Sequence, residues 1–174
     1  MNRILKAYRS ATPDQYKQGM NWYNEANRFA ASLDPDIVKA AGVIAALSPK
    51  VRWETNKKAA KLMLSAARTN GRMPVVAGWG HNRRRAWRIA LGEDPVAVLE
   101  ESKPQFLKVR RFFDNILGVE DLVTVDTWTA KVAMKNPPKS IIGKLYLDIE
   151  SRFQKAAKTV GLAPKHVCVN ESNL

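Results

Sequence analysis

Asp126 stands between the apolar, β-branched run "LVTV" (122–125) and the helix-like segment "TWTAKVAM" (127–134). Aspartate is a favoured residue at a helix N-cap, where its carboxylate accepts hydrogen bonds from the first free amides. On this stretch alone the cap is the simpler reading. A carboxylate fixed in that way is also a chemical tool. Held rigid in a cleft, it stabilises positive charge developing on a substrate and orients or deprotonates an attacking water. The two roles are compatible, because amides that anchor one oxygen leave the other for chemistry.

The second chemical feature is charge. Lys and Arg number 29 against 16 acids, a net charge of +13 and a pI near 10.1. The excess is concentrated: Thr55 to Gly92 carries nine basic residues and no acid. A one-signed stretch predicts a surface facing a polyanion, because neutralising phosphates releases condensed counterions. Nucleic acid fits best. A membrane surface fits less well, since no basic helix shows a clean apolar face. Within the stretch, "HNRRRAWR" (81–88) is the foremost candidate for DNA-backbone contact, with Arg83, Arg84, Arg85 and Arg88. Helical spacing sets Arg84 and Arg88 on one face and turns Ala86 and Trp87 towards the core. The single cysteine, Cys168, excludes an intrachain disulfide and any four-cysteine metal site, and with His166 it reads as an ordinary tail, so no metal is expected.

Elements that position these residues are punctuated by Pro and Gly. Thr12-Pro13 opens a helix to about Ser32, and Asp34-Pro35 opens "DIVKAAGVIAALS", apolar almost all round and suited to the centre of a core. "PKVRW" reads as a loop and "ETNKKAAKLMLSAART" as an amphipathic helix stopped by Gly71. Further helices are predicted in "NRRRAWRIAL", "DPVAVLEE", "PQFLKVRRFFDNIL" and "TWTAKVAM", with a last long one over about 142–160. Only "LVTV" is strand-like, so the fold class is all-α. The length of 174 residues suits one sizeable core or two small lobes. No run reaches the ~18–20 apolar residues of a membrane span, and the N-terminus lacks a signal peptide's apolar core, so a cytoplasmic protein is expected.

Taken in order, "VIAALSPKVRWETNKKAAKLM", "NRRRAWRIALGEDPVAVLEESKPQFLKVRRFFDNILG" and "VTVDTWTAKVAM" resemble the helix–hairpin–helix DNA glycosylase superfamily of endonuclease III, over about residues 36–134. The likeness is nearest to a compact phage-encoded branch whose relatives act around hypermodified thymine. It implies a two-lobed helical bundle with a DNA cleft between lobes, lobe A at about 36–125 and lobe B at about 1–35 plus 126–174. It implies an enzyme of the host cytoplasm acting on double-stranded DNA. The family pattern is not kept throughout. The hairpin's glycine turn is replaced by "KPQFLK", so Lys103 and Lys108 stand in as phosphate contacts. Trp128 replaces a histidine often found after Asp-Thr. The cysteines of an iron–sulfur cluster are missing, so no cofactor is expected.

The resemblance makes Asp126 the catalytic carboxylate, beside the oxocarbenium-like sugar that forms as an N-glycosidic bond breaks. It makes Lys108, 126 − 108 = 18 residues earlier, the candidate amine for a Schiff base and strand cleavage. For Lys108 a phosphate contact or a surface charge is the simpler reading, since Lys is the commonest solvated residue on a helix. The target base must leave the stack, and "SPKVRWETN" offers Trp53 or Arg52 to fill the hole, with Lys50 and Asn56 beside them. Trp53 reads equally as core. Arg110 completes the expected DNA contacts, whereas Trp22 and Tyr23 have the helical spacing of core residues. The leading reading is a DNA N-glycosylase acting on a modified or damaged pyrimidine. Its rivals are a transferase acting on activated hypermodified thymine and a non-catalytic DNA-binding protein. A helix–turn–helix regulator fits less well, because no dimerising element accompanies a compact helix pair.

Overall fold

The computed structural model describes residues 3–101 and 107–167, and these are helical with no strand among them. The helices, in chain order, are α1 (Arg3–Ser10), α2 (Pro13–Leu33), α3 (Ile37–Leu47), α4 (Trp53–Arg68), α5 (Gly80–Ala90), α6 (Pro95–Glu100), α7 (Leu107–Ile116), α8 (Thr127–Ala133), α9 (Gly143–Val160) and α10 (Pro164–Val167). None is long and apolar enough to cross a membrane. The chain divides into two compact units, Ala26–Pro104 and Met1–Glu25 with Gln105–Leu174.

The first unit is built around α3, in which every residue from Ala40 to Leu47 is buried. Helices α4, α5 and α6 all pack on it, as an Ala-rich segment apolar on all faces requires. Gly42 is the closest approach: a Cβ there would stand 2.7 Å from Pro95 Cβ, so α6 rests on bare backbone. The cap of α3 is Asp36, which accepts from Lys39 N at 3.0 Å. Asp34, expected to open the helix, has a different task. Its buried carboxylate accepts from Asp36 N at 3.0 Å and pairs with Lys39 at 3.1 Å and Arg68 at 3.3 Å, tying the start of α3 to the end of α4. Helix α4 closes through Asn70, left-handed at φ +50°, with Gly71 N donating back to Ala66 O at 2.9 Å. The stop expected at Gly71 thus begins one residue earlier, at a residue type that tolerates this conformation.

The second unit gathers α1, α8, α9 and α10 about Tyr146, Ile149 and Phe153 of α9. Val123 and Val125 are buried in the same core. The "LVTV" run forms no strand. Its amides bond to side chains of α9 instead: Val123 N donates to Glu150 Oε1 at 3.0 Å and Val125 N to the Tyr146 hydroxyl at 2.9 Å, which donates on to Val123 O at 2.9 Å.

These units are drawn at other places than the lobes expected from sequence. Residues 107–125 fall with the termini, because Phe112 packs on Trp22 (ring centroids 5.7 Å apart) and the 119–125 segment bonds to α7 and α9. Residues 26–35 fall in the other unit, where Phe29 packs edge-on against Trp53 at 5.9 Å.

Candidate functional site

Asp126 is the N-cap of α8, with the extended backbone (φ −110°, ψ −171°) a cap requires. Both of its hydrogen bonds fall on one oxygen. Oδ1 accepts from Thr129 N at 2.8 Å and from Thr129 Oγ1 at 2.9 Å, while Oδ2 receives no donor among the described residues. The residue is half-buried, and two positions on, the Trp128 indole is 48% exposed with Lys131 Nζ 4.1 Å from its ring centroid. The site therefore offers a fixed carboxylate bonded on one oxygen, two residues from a half-exposed indole that carries Lys131 on its ring.

A buried polar frame holds the segment leading to Asp126. Asn115 of α7, fully buried, donates to Val119 O at 3.0 Å and Leu122 O at 2.9 Å and accepts from Thr124 Oγ1 at 3.0 Å. From α9, Glu150 and Tyr146 take the amides of Val123 and Val125. Arg111 partners Glu150: its Nη2 donates to Oε2 at 3.2 Å, while Nε lies 3.1 Å from Oε1 without aiming its hydrogen there. Burial pushes the Tyr146 hydroxyl well above its ordinary pKa, so it stays a neutral donor and acceptor. Sequence reading saw none of these supports, because Asn115, Arg111 and Glu150 lie among other polar residues of amphipathic helices and nothing local marks them as buried.

Lys108 occupies the first turn of α7, half-buried, in the same unit as Asp126. Arg110, expected on DNA, instead forms an i, i+4 pair with Asp114, Nε to Oδ1 3.0 Å, on that helix. Lys103 lies outside the described residues.

In the other unit the expected DNA contacts separate into two kinds. Asn56 is 1% exposed and donates from Nδ2 to Ile44 O at 3.1 Å, so it fastens α4 to α3 and presents nothing to a ligand. Trp53 packs on Phe29, with Lys57 Nζ 5.8 Å from each ring. Arg88 is bound by two acids from outside the one-signed window: Nη2 lies 2.5 Å from Glu93 and Nη1 2.6 Å from Glu101. Hydrogen bonding from Arg88 holds both carboxyls below the ordinary glutamate pKa. Folding therefore returns acids to a stretch that has none in sequence, and Arg88 is engaged within the protein. Arg83 is partly buried and donates to Val76 O at 3.4 Å.

Lys50, Arg52, Arg84 and Arg85 remain. The first three are exposed and make no ion pair among the described residues, whereas Arg85 is half-buried and its charge helps to hold the Glu101 carboxyl low. Arg52 caps α4 without a side-chain bond. Lys50 follows Pro49 in a turn closed by Val51 N to Ser48 O at 3.2 Å, with left-handed φ +58°. Its Nζ sits 5.2 Å from the ring centroid of Trp79, a half-exposed indole that residue-type counting passed over. The signal in sequence was "GWGH", an aromatic flanked by glycines in a basic stretch.

Among the described residues no three His, Cys, Asp or Glu side chains come together as metal ligands would. No curated protein and no solved structure matches the chain. A family model described as a family of unknown function, DUF7178, matches residues 1–169, and the chain belongs to that family.

Proposed function

We propose that the protein is a DNA N-glycosylase-like enzyme of the helix–hairpin–helix type, drawing a modified or damaged pyrimidine out of duplex DNA and cleaving its glycosidic bond with Asp126. The observation that supports this is the asymmetry of the carboxylate: Thr129 fixes Oδ1 twice, and Oδ2 has no donor among the described residues. In the reaction the C1′–N bond breaks, its electron pair leaves with the base, and positive charge develops on the sugar. Oδ2 faces that charge and then takes a proton from the water that adds to C1′, while solvent protonates the departing base. A rigid group needs no reorganisation as charge forms, which is where such sites gain most of their rate. Lys50, Arg52, Arg84 and Arg85 supply phosphate contacts. Lys108 is the amine for any Schiff base, tested by borohydride trapping of wild type against Lys108→Ala.

A second reading is favoured by the same geometry, since an Oδ1 bonded to Thr129 N is already a complete helix cap. On that reading the chain binds DNA without chemistry. The two separate on incubation with duplexes carrying uracil, thymine glycol, 5-hydroxymethyluracil or hypermodified pyrimidines, with released base measured by mass spectrometry. The enzyme reading expects release that falls by roughly 100-fold or more in Asp126→Asn. Equal release by Asp126→Asn, or none by wild type from any of these duplexes, leaves the binding reading.

A further inference from the structure

The indole of Trp79 is 53% exposed, although its area would contribute most if buried. It sits in Gly78-Trp79-Gly80, so neither neighbour has a side chain to cover it. Gly78 is held at φ +112°, which a residue with a Cβ rarely adopts, and Val51 of the Lys50 turn reaches within 3.9 Å of that position. The turn and the "GWG" segment thus form one surface. Lys50 Nζ stands 5.2 Å from the ring centroid, and the His81 ring meets the indole edge-on at 5.6 Å. The Arg84 guanidinium lies 3.6 Å from where a Cβ of Gly80 would be, which brings it to the same patch.

The patch is one-signed. Residues 69–92 hold no acid, and Lys50 and Arg84 make no ion pair among the described residues. The acids paired in this unit are engaged elsewhere: Asp34 with Lys39 and Arg68, Glu54 with Lys57, Glu93 and Glu101 with Arg88. An open aromatic face ringed by uncompensated cations suits a polyanion whose charges alternate with planar rings. A nucleic-acid strand has that make-up, and an acidic peptide does not. In a paired duplex the base faces are hidden in the stack, so the indole fits an unpaired nucleotide.

We infer that Trp79, with Lys50 and Arg84, forms a platform for one unpaired nucleotide of a nucleic-acid strand, the base on the indole and the flanking phosphates on the cations. The platform shares a nucleic-acid partner with the proposed function but stands whether or not Asp126 performs chemistry. The test uses the full chain carrying Asp126→Asn, so that base release does not interfere. Fluorescence anisotropy measures its binding to a single strand, the same sequence fully paired, and a duplex with a short gap. Adding Trp79→Ala weakens the single strand and the gapped duplex by about 5- to 150-fold, as loss of one base–aromatic stack does. The paired duplex keeps its affinity within about twofold. Trp79→Phe, which preserves a ring and controls for folding, retains most of the single-strand affinity. Arg84→Gln leaves the stack and lowers the salt slope on single strands by about 0.7, the value of one phosphate contact. Equal loss on all three DNAs, no loss on the single strand, or competition by base-free polyphosphate as strong as by the single strand overturns the platform. Its failure beside intact base release by wild type leaves the role of Asp126 untouched, and the reverse result leaves the platform.

Discussion

The two oxygens of Asp126 carry separable roles, and substitutions can divide them. Asparagine keeps an oxygen for Thr129 N, so Asp126→Asn should melt within a few tenths of a kcal/mol of wild type while losing any reaction. Alanine removes the cap altogether and should cost about 1 kcal/mol, a fall of roughly 2–4 °C in Tm for a chain of this size. Thermal melts of both variants check the pair; equal destabilisation would mean that the cap bond contributes nothing. The cap itself was legible in sequence, because Asp before a helix start is a local signal. What that signal lacks is the neighbourhood. Asn56 looked like a polar partner for a wedge because a loop precedes it, yet one helical turn rotates it onto the Ile44 carbonyl and out of solvent.

Among the elements, the stretch from 119 to 126 depends on helices far from it in sequence. Tyr146→Phe deletes the hydroxyl that serves both Val125 N and Val123 O and leaves a buried amide unsatisfied, at a cost of about 1–3 kcal/mol. Chemical denaturation should show that loss with little change in m-value. A loss below about 0.5 kcal/mol would mean that the hydroxyl does not hold the segment. The β-branched residues of "LVTV" give it a strand-like sequence, but no strand is present among the described residues to pair with it, and its amides bond to Glu150 and Tyr146 instead. Helix starts at Pro13 and Pro95 and the run through α3 were visible from caps and apolar patterning. Helices α1 and α10, eight and four residues long, were not, whereas α6 and α8, equally short, showed through their caps at Asp94 and Asp126.

For the whole molecule, net charge predicted a polyanion-facing surface, and folding redistributes that charge. Arg84 is exposed and has no ion pair among the described residues, whereas Arg88 is clamped by Glu93 and Glu101. Duplex binding measured against salt should therefore lose a slope of about 0.9 in Arg84→Ala and none in Arg88→Ala. Identical slopes for the two variants would show that the internal pairing is irrelevant to binding. Asp34 gives the fold an acid limit. Burial raises its pKa, but the Asp36 amide, Lys39 and Arg68 outweigh burial, and the net shift is below the ordinary 3.8. A lowered folded pKa gives stability that is complete above the unfolded value and lost as pH falls through the folded one. Asp34→Asn should thus be less stable than wild type at pH 7, with the gap closing as pH falls below about 4. A gap independent of pH would place the stabilisation elsewhere.

Whether the carboxylate at 126 meets a cationic sugar can be measured without knowing which base is removed. A duplex carrying a pyrrolidine in place of the target sugar presents a positive nitrogen near the anomeric position, and the tetrahydrofuran analogue presents a neutral ring of the same shape. Because an enzyme binds the charged species of its transition state more tightly than the ground state, wild type should prefer the pyrrolidine duplex by about 100-fold or more, and Asp126→Asn should show no preference. Equal affinity of wild type for the two duplexes, or a preference that survives Asp126→Asn, would contradict the assignment.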